Sequence, residues 1–192
     1  MNNFILEKIL PLNLHGGFSE FNRESLLAIF NSKKIDTALE IGSWLGLSSS
    51  FIAKNVSDKL YCIDPWDLQE EQAQHVSWAE HGPTLYNQFL SNMIHLGLTE
   101  KVVPLRGFSD QVLPRLDIKF DLVFIDGSHK YENVKKDILN SSKLLKDGGI
   151  ICGDDWGLPP SEISIGVIRA VLECASILKK NIKTNNTFWQ LE

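Results

Sequence analysis

The chain has 192 residues, 43% of them hydrophobic and 22% charged, which are the values of a folded domain with a full core rather than a disordered or fibrous chain. A formal net charge of −5 argues against the basic face that a nucleic-acid binder needs, and no basic run exceeds two residues, so a polybasic membrane anchor is not expected. Cys62, Cys152 and Cys174 are odd in number and lack C-x-x-C spacing, which argues against a disulfide framework or a zinc site.

The opening stretch "MNNFILEKILPLNLHGG" carries Glu7 and Lys8 inside its apolar run and lacks a basic leader. It reads as a short amphipathic helix ending before Pro11, not as a signal peptide, and the expected compartment is the cytoplasm. A loop and a helix beginning near Ser19 complete an N-terminal region of helices over residues 1–33. "IDTALEIG" (Ile35–Gly42) is a short apolar run stopped by glycine, hence a buried strand, and "LGLSSSFIAKNV" follows with helical spacing. "KLYCIDPW" (Lys59–Trp66) is a second strand, ended at Pro65. Residues 67–92 then break the rhythm with a long polar stretch. It suits either a lid that contributes to substrate binding, with His75, Trp78 and His81 as lining candidates, or an extra surface helix. "KVVPLRG", "FDLVFIDG" and "GGIICGDD" supply three more strands. The helix "YENVKKDILNSSKLL" between the last two places Val134, Ile138, Ser141 and Leu145 on one face. "SIGVIRAVLECASILKK" is a final helix and "NTFWQLE" a last strand. No apolar segment reaches the roughly 20 residues of a membrane span. Five near-continuous apolar strands alternating with helices predict one α/β domain over 1–192, its parallel sheet covered on both faces.

In open parallel sheets, ligands bind outside the carboxyl ends of the strands. Those ends read Glu40-Ile-Gly42-Ser43-Trp44-Leu-Gly46, Asp64-Pro-Trp66, Arg106-Gly-Phe108-Ser109, Asp126-Gly-Ser-His129 and Asp154-Asp155-Trp156. Together they define one polar rim. Tryptophan at position 44 replaces the second glycine of a dinucleotide fingerprint, which disfavours a pyrophosphate there. Gly42 still permits a tight turn with close approach of a ligand, or merely turns the chain into its helix. Asp64 is placed either to bond a ribose diol or to make a turn before proline.

"ALEIGSWLGLSS", "YCIDPW", "RGFSDQVLP", "FDLVFIDGSHKYENVKKDI" and "LLKDGGIICGDDW" resemble the successive motifs of class I S-adenosylmethionine-dependent methyltransferases. The resemblance is to the subgroup of small-molecule O-methyltransferases with "IDG-x-H-x-Y" and "GG-x-I-x-x-DD", which includes metal-dependent members. It implies a Rossmann-like, doubly wound, mostly parallel seven-stranded sheet with helices on both faces and an antiparallel last strand. It also implies S-adenosylmethionine as cofactor. Glu40, Gly42 and the backbone from Ser43 through Trp44 to Gly46 would hold its methionine part. Asp64 would take the ribose hydroxyls with Trp66 nearby, and Phe108 and Ser109 would border the adenine. Asp126 would close the cofactor site and, with Asp154 and Asp155, bind a divalent cation, Mg²⁺ by preference for an all-oxygen ligand set. His129 would serve as general base toward a hydroxyl of a small-molecule substrate.

Each assignment has a plainer counterpart. Asp126 can cap the helix that begins near His129, Asp154 or Asp155 can turn the chain, and His129 can be a surface residue. Methyl transfer without a metal, a nicotinamide-dependent oxidoreductase and a non-catalytic binding protein all use the same fold. So short a chain also leaves room for a substrate pocket shared across a homodimer.

Overall fold

The computed structural model describes residues 6, 8–67, 85–157 and 160–192. The first regular element is α1 (Glu20–Ser32), capped by Ser19, whose hydroxyl accepts from the Asn22 amide. Leu6 and Lys8–Leu10 are not helical, and the remaining residues of the predicted opening helix lie outside the described ones. Then follow β1 (Thr37–Ile41), α2 (Leu47–Asn55) and β2 (Lys59–Asp64). Residues 68–84, with His75, Trp78 and His81, lie outside the described residues, whereas the end of the predicted insertion forms α3 (Leu85–His95). The chain continues through β3 (Val102–Arg106), the short α4 (Ser109–Val112) and a 3₁₀ turn at Leu113–Arg115. It ends with β4 (Phe120–Ile125), α5 (Tyr131–Ser142), β5 (Leu145–Gly153), α6 (Ser164–Leu178), β6 (Ile182–Asn185) and β7 (Phe188–Leu191).

The strands form one sheet in the order β3-β2-β1-β4-β5-β7-β6. β1 to β5 pair in parallel, and β7 runs antiparallel between β5 and β6. This is a Rossmann-like architecture: one seven-stranded, mostly parallel sheet with helices on both faces. Side chains alternate along each strand, so Leu122 and Phe124 of β4 join one core with α1, α2 and α3. Val123 and Ile125 join the other, with α5 and α6. Both faces are therefore dry, which explains the unbroken apolar runs. The strand order reverses between β1 and β4, so the crevice expected to hold a ligand opens where Gly42 and Asp126 stand.

Two elements depart from the sequence reading. Leu145 is the first residue of β5, not the last of a helix, because α5 stops at Ser142 and Phe120 pairs with Leu145 across a register shift. β6, mostly exposed, is a strand that the residue pattern alone did not announce.

Candidate active site

Backbone hydrogen bonds tie the strand ends into one rim. Gly42 N donates to Ile63 O (2.9 Å), Asp126 N to Ile41 O (2.8 Å), Asp154 N to Ile125 O (3.1 Å) and Gly107 N to Asp64 O (3.0 Å). Gly42 has φ +90°, and a β-carbon on it would sit 2.1 Å from the Asp126 carbonyl oxygen. Only glycine fits between the ends of β1 and β4, so this residue sets how closely the rim's two halves approach.

The loop from Ser43 to Gly46 is held from beneath. Glu40 is fully buried, and its Oε2 accepts from Ser43 Oγ (2.6 Å), from Ser49 Oγ and from Cys62 Sγ (3.5 Å). Its Oε1 is buried without a partner. Burial raises the Glu40 pKa above the ordinary carboxylate value, and the serine donors work against that. Glu40 and Ser43 thus face each other inside the protein and shape the loop.

Asp64 has a similar bracing role. Its carboxylate accepts from Trp44 N (2.9 Å) and Trp66 N (2.6 Å) and is nearly buried, which pushes its pKa up. Both tryptophans have left-handed backbones, φ +46° and +47°, a costly conformation for a bulky residue unless its surroundings fix it. Here Asp64 takes both amides, and the Trp66 indole donates to Trp44 O at 2.7 Å. Trp66 itself is core, its ring centroid 4.7 Å from that of Phe89. At the end of β3, Phe108 is 44% exposed, an apolar ring left at the rim. Ser109 turns inward and donates to Asp137 of α5.

The acidic end of the rim divides between the two faces of the sheet. Asp126 is partly buried, and its carboxylate has no hydrogen-bond partner among the described residues. Burial first, then the charges of Asp154, Asp155 and Glu40, push its pKa well above the ordinary range. It is not a helix cap, since Lys130 holds that position at α5 and bonds no amide through its side chain. Asp155 adopts φ +66° and pairs with His129, Oδ2 to Nε2, at 3.0 Å. Asp154 turns the other way: burial raises its pKa, opposed chiefly by Thr187, and it lies near the buried Asn22 of α1, whose own side-chain amide makes no hydrogen bond among the described residues. The Asp154 Oδ1 is buried without a partner. Its carbonyl accepts from Trp189 Nε1 at 2.8 Å.

The three aspartates foreseen as cation ligands stand at the ends of the adjacent strands β4 and β5. Among the described residues no group of three or more His, Cys, Asp or Glu is placed to hold a metal ion. β5 has ended at Gly153, and the left-handed backbone at Asp155 turns the two side chains apart, Asp154 toward Asn22 and Thr187 and Asp155 toward His129. The geometry does unite His129, Asp126 and Asp155 at the same edge as the Gly42–Gly46 loop.

Sequence reasoning passed over three buried polar residues next to this rim: Asn22, Asn92 and Asp137, which are 0%, 0% and 3% exposed. It also passed over a Tyr-x-x-x-Lys spacing at Tyr131 and Lys135, a pairing suited to hydride-transfer chemistry. Both of those side chains are bound to Glu173 between α5 and α6, Lys135 at 2.7 Å.

No helix among the described residues is long and apolar enough to cross a membrane. No curated protein sequence matches the chain. Among solved structures, the O-methyltransferase TomG from Streptomyces achromogenes, involved in tomaymycin synthesis and solved with S-adenosylmethionine, superposes with a TM-score of 0.64 at 16% identity. That match covers 91% of this chain and 80% of the other. The O-methyltransferase from Bacillus cereus in complex with S-adenosylhomocysteine gives 0.64 at 16%, covering 94% and 83%. Precorrin 8W decarboxylase from Methanobacterium thermoautotrophicum gives 0.66 at 17%, covering 92% and 91%. At such identities the likeness is one of fold, and the fold is shared by different chemistries. The sequence itself matches the methyltransferase-domain family over residues 39–156, from the centre of β1 to the tryptophan that follows the two rim aspartates. Because this match spans more than half of its length, the chain belongs to the methyltransferase-domain family.

Proposed function

We propose that the protein is an S-adenosylmethionine-dependent methyltransferase acting on a hydroxyl of a small molecule, with His129 as general base oriented by Asp155. The observation that carries this reading is the His129–Asp155 pair, 3.0 Å apart, at the same strand-end rim as the Gly42–Gly46 loop. The two O-methyltransferase structures solved with S-adenosylmethionine or its demethylated product support it by fold.

The residues present fit the cofactor. Gly46 caps α2 without a side-chain hydrogen bond, so the first amides of that helix are left to receive an anion such as an amino-acid carboxylate. Exposed Phe108 offers a face to an aromatic base. Asp64 stands at the end of β2 with a carboxylate whose remaining lone pairs suit a diol. When bound, S-adenosylmethionine supplies an electrophilic methyl group on a sulfonium sulfur. His129 takes the proton from the substrate hydroxyl, and Asp155 fixes the imidazole ring and favours its charged form once the proton has moved. Asp126 stands beside Gly42 at the same rim, where its carboxyl can meet substrate or cofactor. The rim supplies orientation, which is worth more here than proton transfer alone.

Among the described residues no group of three or more His, Cys, Asp or Glu is gathered for the divalent cation that the resemblance implies, and the reading is stated without it. S-adenosylhomocysteine at about 100 times its Kd stabilises a binder by about 2.7 kcal/mol. For a chain of this length that raises the Tm by about 5–11 °C. NAD is expected to leave the Tm unchanged, and the opposite pattern would overturn the cofactor assignment. In a methyl-transfer screen over hydroxylated small molecules, His129→Ala is expected to lose about 10²–10⁴ in rate while keeping cofactor affinity. Chelation by EDTA is expected to leave the rate intact. Loss restored by Mg²⁺ would mean that Asp126, Asp154 and Asp155 gather around an ion after all.

A further inference from the structure

The inner face of α3 is apolar at Leu85, Phe89, Leu90 and Met93, yet it also buries Gln88, Ser91 and Asn92 at 6%, 0% and 0% exposure. Polar side chains are buried at a cost unless their hydrogen bonds are made. All three are committed to the segment from Leu10 to Asn13. Ser91 Oγ accepts from Leu10 N (3.0 Å), and Gln88 Nε2 donates to Pro11 O (2.8 Å) and to Asn92 Oδ1 (2.9 Å). His95 Nε2 adds a contact to Leu10 O at 2.7 Å.

Asn92 uses its whole amide. Its Oδ1 also accepts from Asn13 N (2.9 Å), and its Nδ2 donates to Asn13 O (2.5 Å) and to Leu45 O (2.7 Å). Leu45 is a buried residue of the Ser43–Gly46 loop, next to the uncapped start of α2. Farther along the same segment, a side chain at Gly16 would rest 3.5 Å from the Trp44 ring. One buried amide thus joins three stretches of chain: α3, residues 10–13 and the loop at the end of β1.

We infer that Asn92 is a positioning residue for the cofactor loop, latching residues 10–13 and the Ser43–Gly46 loop into one unit. Order in either part then favours order in the other, and a ligand that rests on the loop tightens residues 10–13 by the same coupling with which they tighten the ligand. The ligand side of this inference rests on the proposed S-adenosylmethionine reading; the latch itself does not.

The test combines amide hydrogen exchange with calorimetric binding of S-adenosylhomocysteine, on wild type, Asn92→Ala and Ser91→Ala. Without ligand, Ser91→Ala removes only the bond from Leu10 N and leaves the His95 contact to Leu10 O, yet exchange at the Trp44 and Gly46 amides is expected to speed up together with that at Leu10 and Asn13. Unchanged exchange at Trp44 and Gly46 overturns the latch, whatever the protein binds. With ligand, wild type is expected to slow exchange at Leu10 and Asn13. Asn92→Ala is expected to weaken binding on the order of tenfold, in the ordinary range of coupling between sites. A lowered urea midpoint with an unchanged Kd would reduce Asn92 to a purely structural role and sink the inference. If Asn92→Ala does not fold, the wild-type and Ser91→Ala arms still decide it. A wild type that fails to bind S-adenosylhomocysteine would instead refute the cofactor reading, leaving the ligand-free exchange to judge the latch.

Discussion

Asp137 shows what one buried carboxylate can contribute. It sits on α5 at 3% exposure and accepts from Ser109 Oγ, the residue that follows exposed Phe108. Burial pushes its pKa up to about 6, with Asp110 adding to the rise while Ser109 and Lys136 oppose it. Between about pH 4 and pH 6 the folded chain therefore holds a proton that the unfolded chain has released. Stability falls as pH rises through that window and is level above it, a contribution of up to about 3 kcal/mol. Asp137→Asn keeps the acceptor for Ser109 and removes the titration. Urea midpoints at pH 4.5 and pH 7.5 are expected to lie closer together in this variant than in wild type. An unaltered gap would place the titration on another group. Asp137 was invisible in the sequence because an aspartate in the middle of a helix reads as solvent-facing. Only the packing of α4 onto α5 shows that it is not.

At the scale of elements, the loop between β1 and α2 is a small polar cage in an apolar sheet. Glu40 gathers Ser43, Ser49 and Cys62, while Asp64 takes the amides of Trp44 and Trp66. Glu40→Ala leaves those hydroxyls buried without their acceptor, which is expected to cost about 2–5 kcal/mol. It is also expected to free the loop, so cofactor affinity should fall more steeply than in a variant of equal stability altered in α6. Equal affinities in the two variants would separate the cage from the binding site. The placement of both carboxylates at strand ends was legible, because each closes an apolar run. Their partners were not, since Ser49, Cys62 and the Trp44 amide are brought to them by the turn and by neighbouring strands. The same limit applies at the end of β5. That Asp154 and Asp155 reach the rim follows from the strand before them, whereas the divergence of their side chains depends on the left-handed backbone at Asp155. The helix boundary before Leu145 was misread because Leu144 and Leu145 continue the apolar period of α5 after its hydrogen bonding has stopped.

For the molecule as a whole, alternating apolar strands and amphipathic helices were enough to foresee the sheet and its two covered faces. They were not enough to announce β6, whose four residues pack on one neighbour and stay mostly exposed. The three cysteines, whose spacing argued against a disulfide framework or a zinc site, sample this architecture well. Cys62 lies in β2 against Glu40, Cys152 near the carboxyl end of β5, and Cys174 on α6, and all three are buried and free. Burial raises the pKa of each thiol, to about 11 for Cys174, so in the closed protein each is a poor nucleophile. A thiol reagent can therefore modify them only through transient openings, and the protein carries its own stopwatches in three places. S-adenosylhomocysteine is expected to slow modification of Cys62, beneath the loop, by a larger factor than that of Cys174 on the far layer. Uniform slowing at all three sites, read by mass spectrometry of the labelled peptides, would mean that the molecule opens as one cooperative body and that the loop has no independent motion to lose.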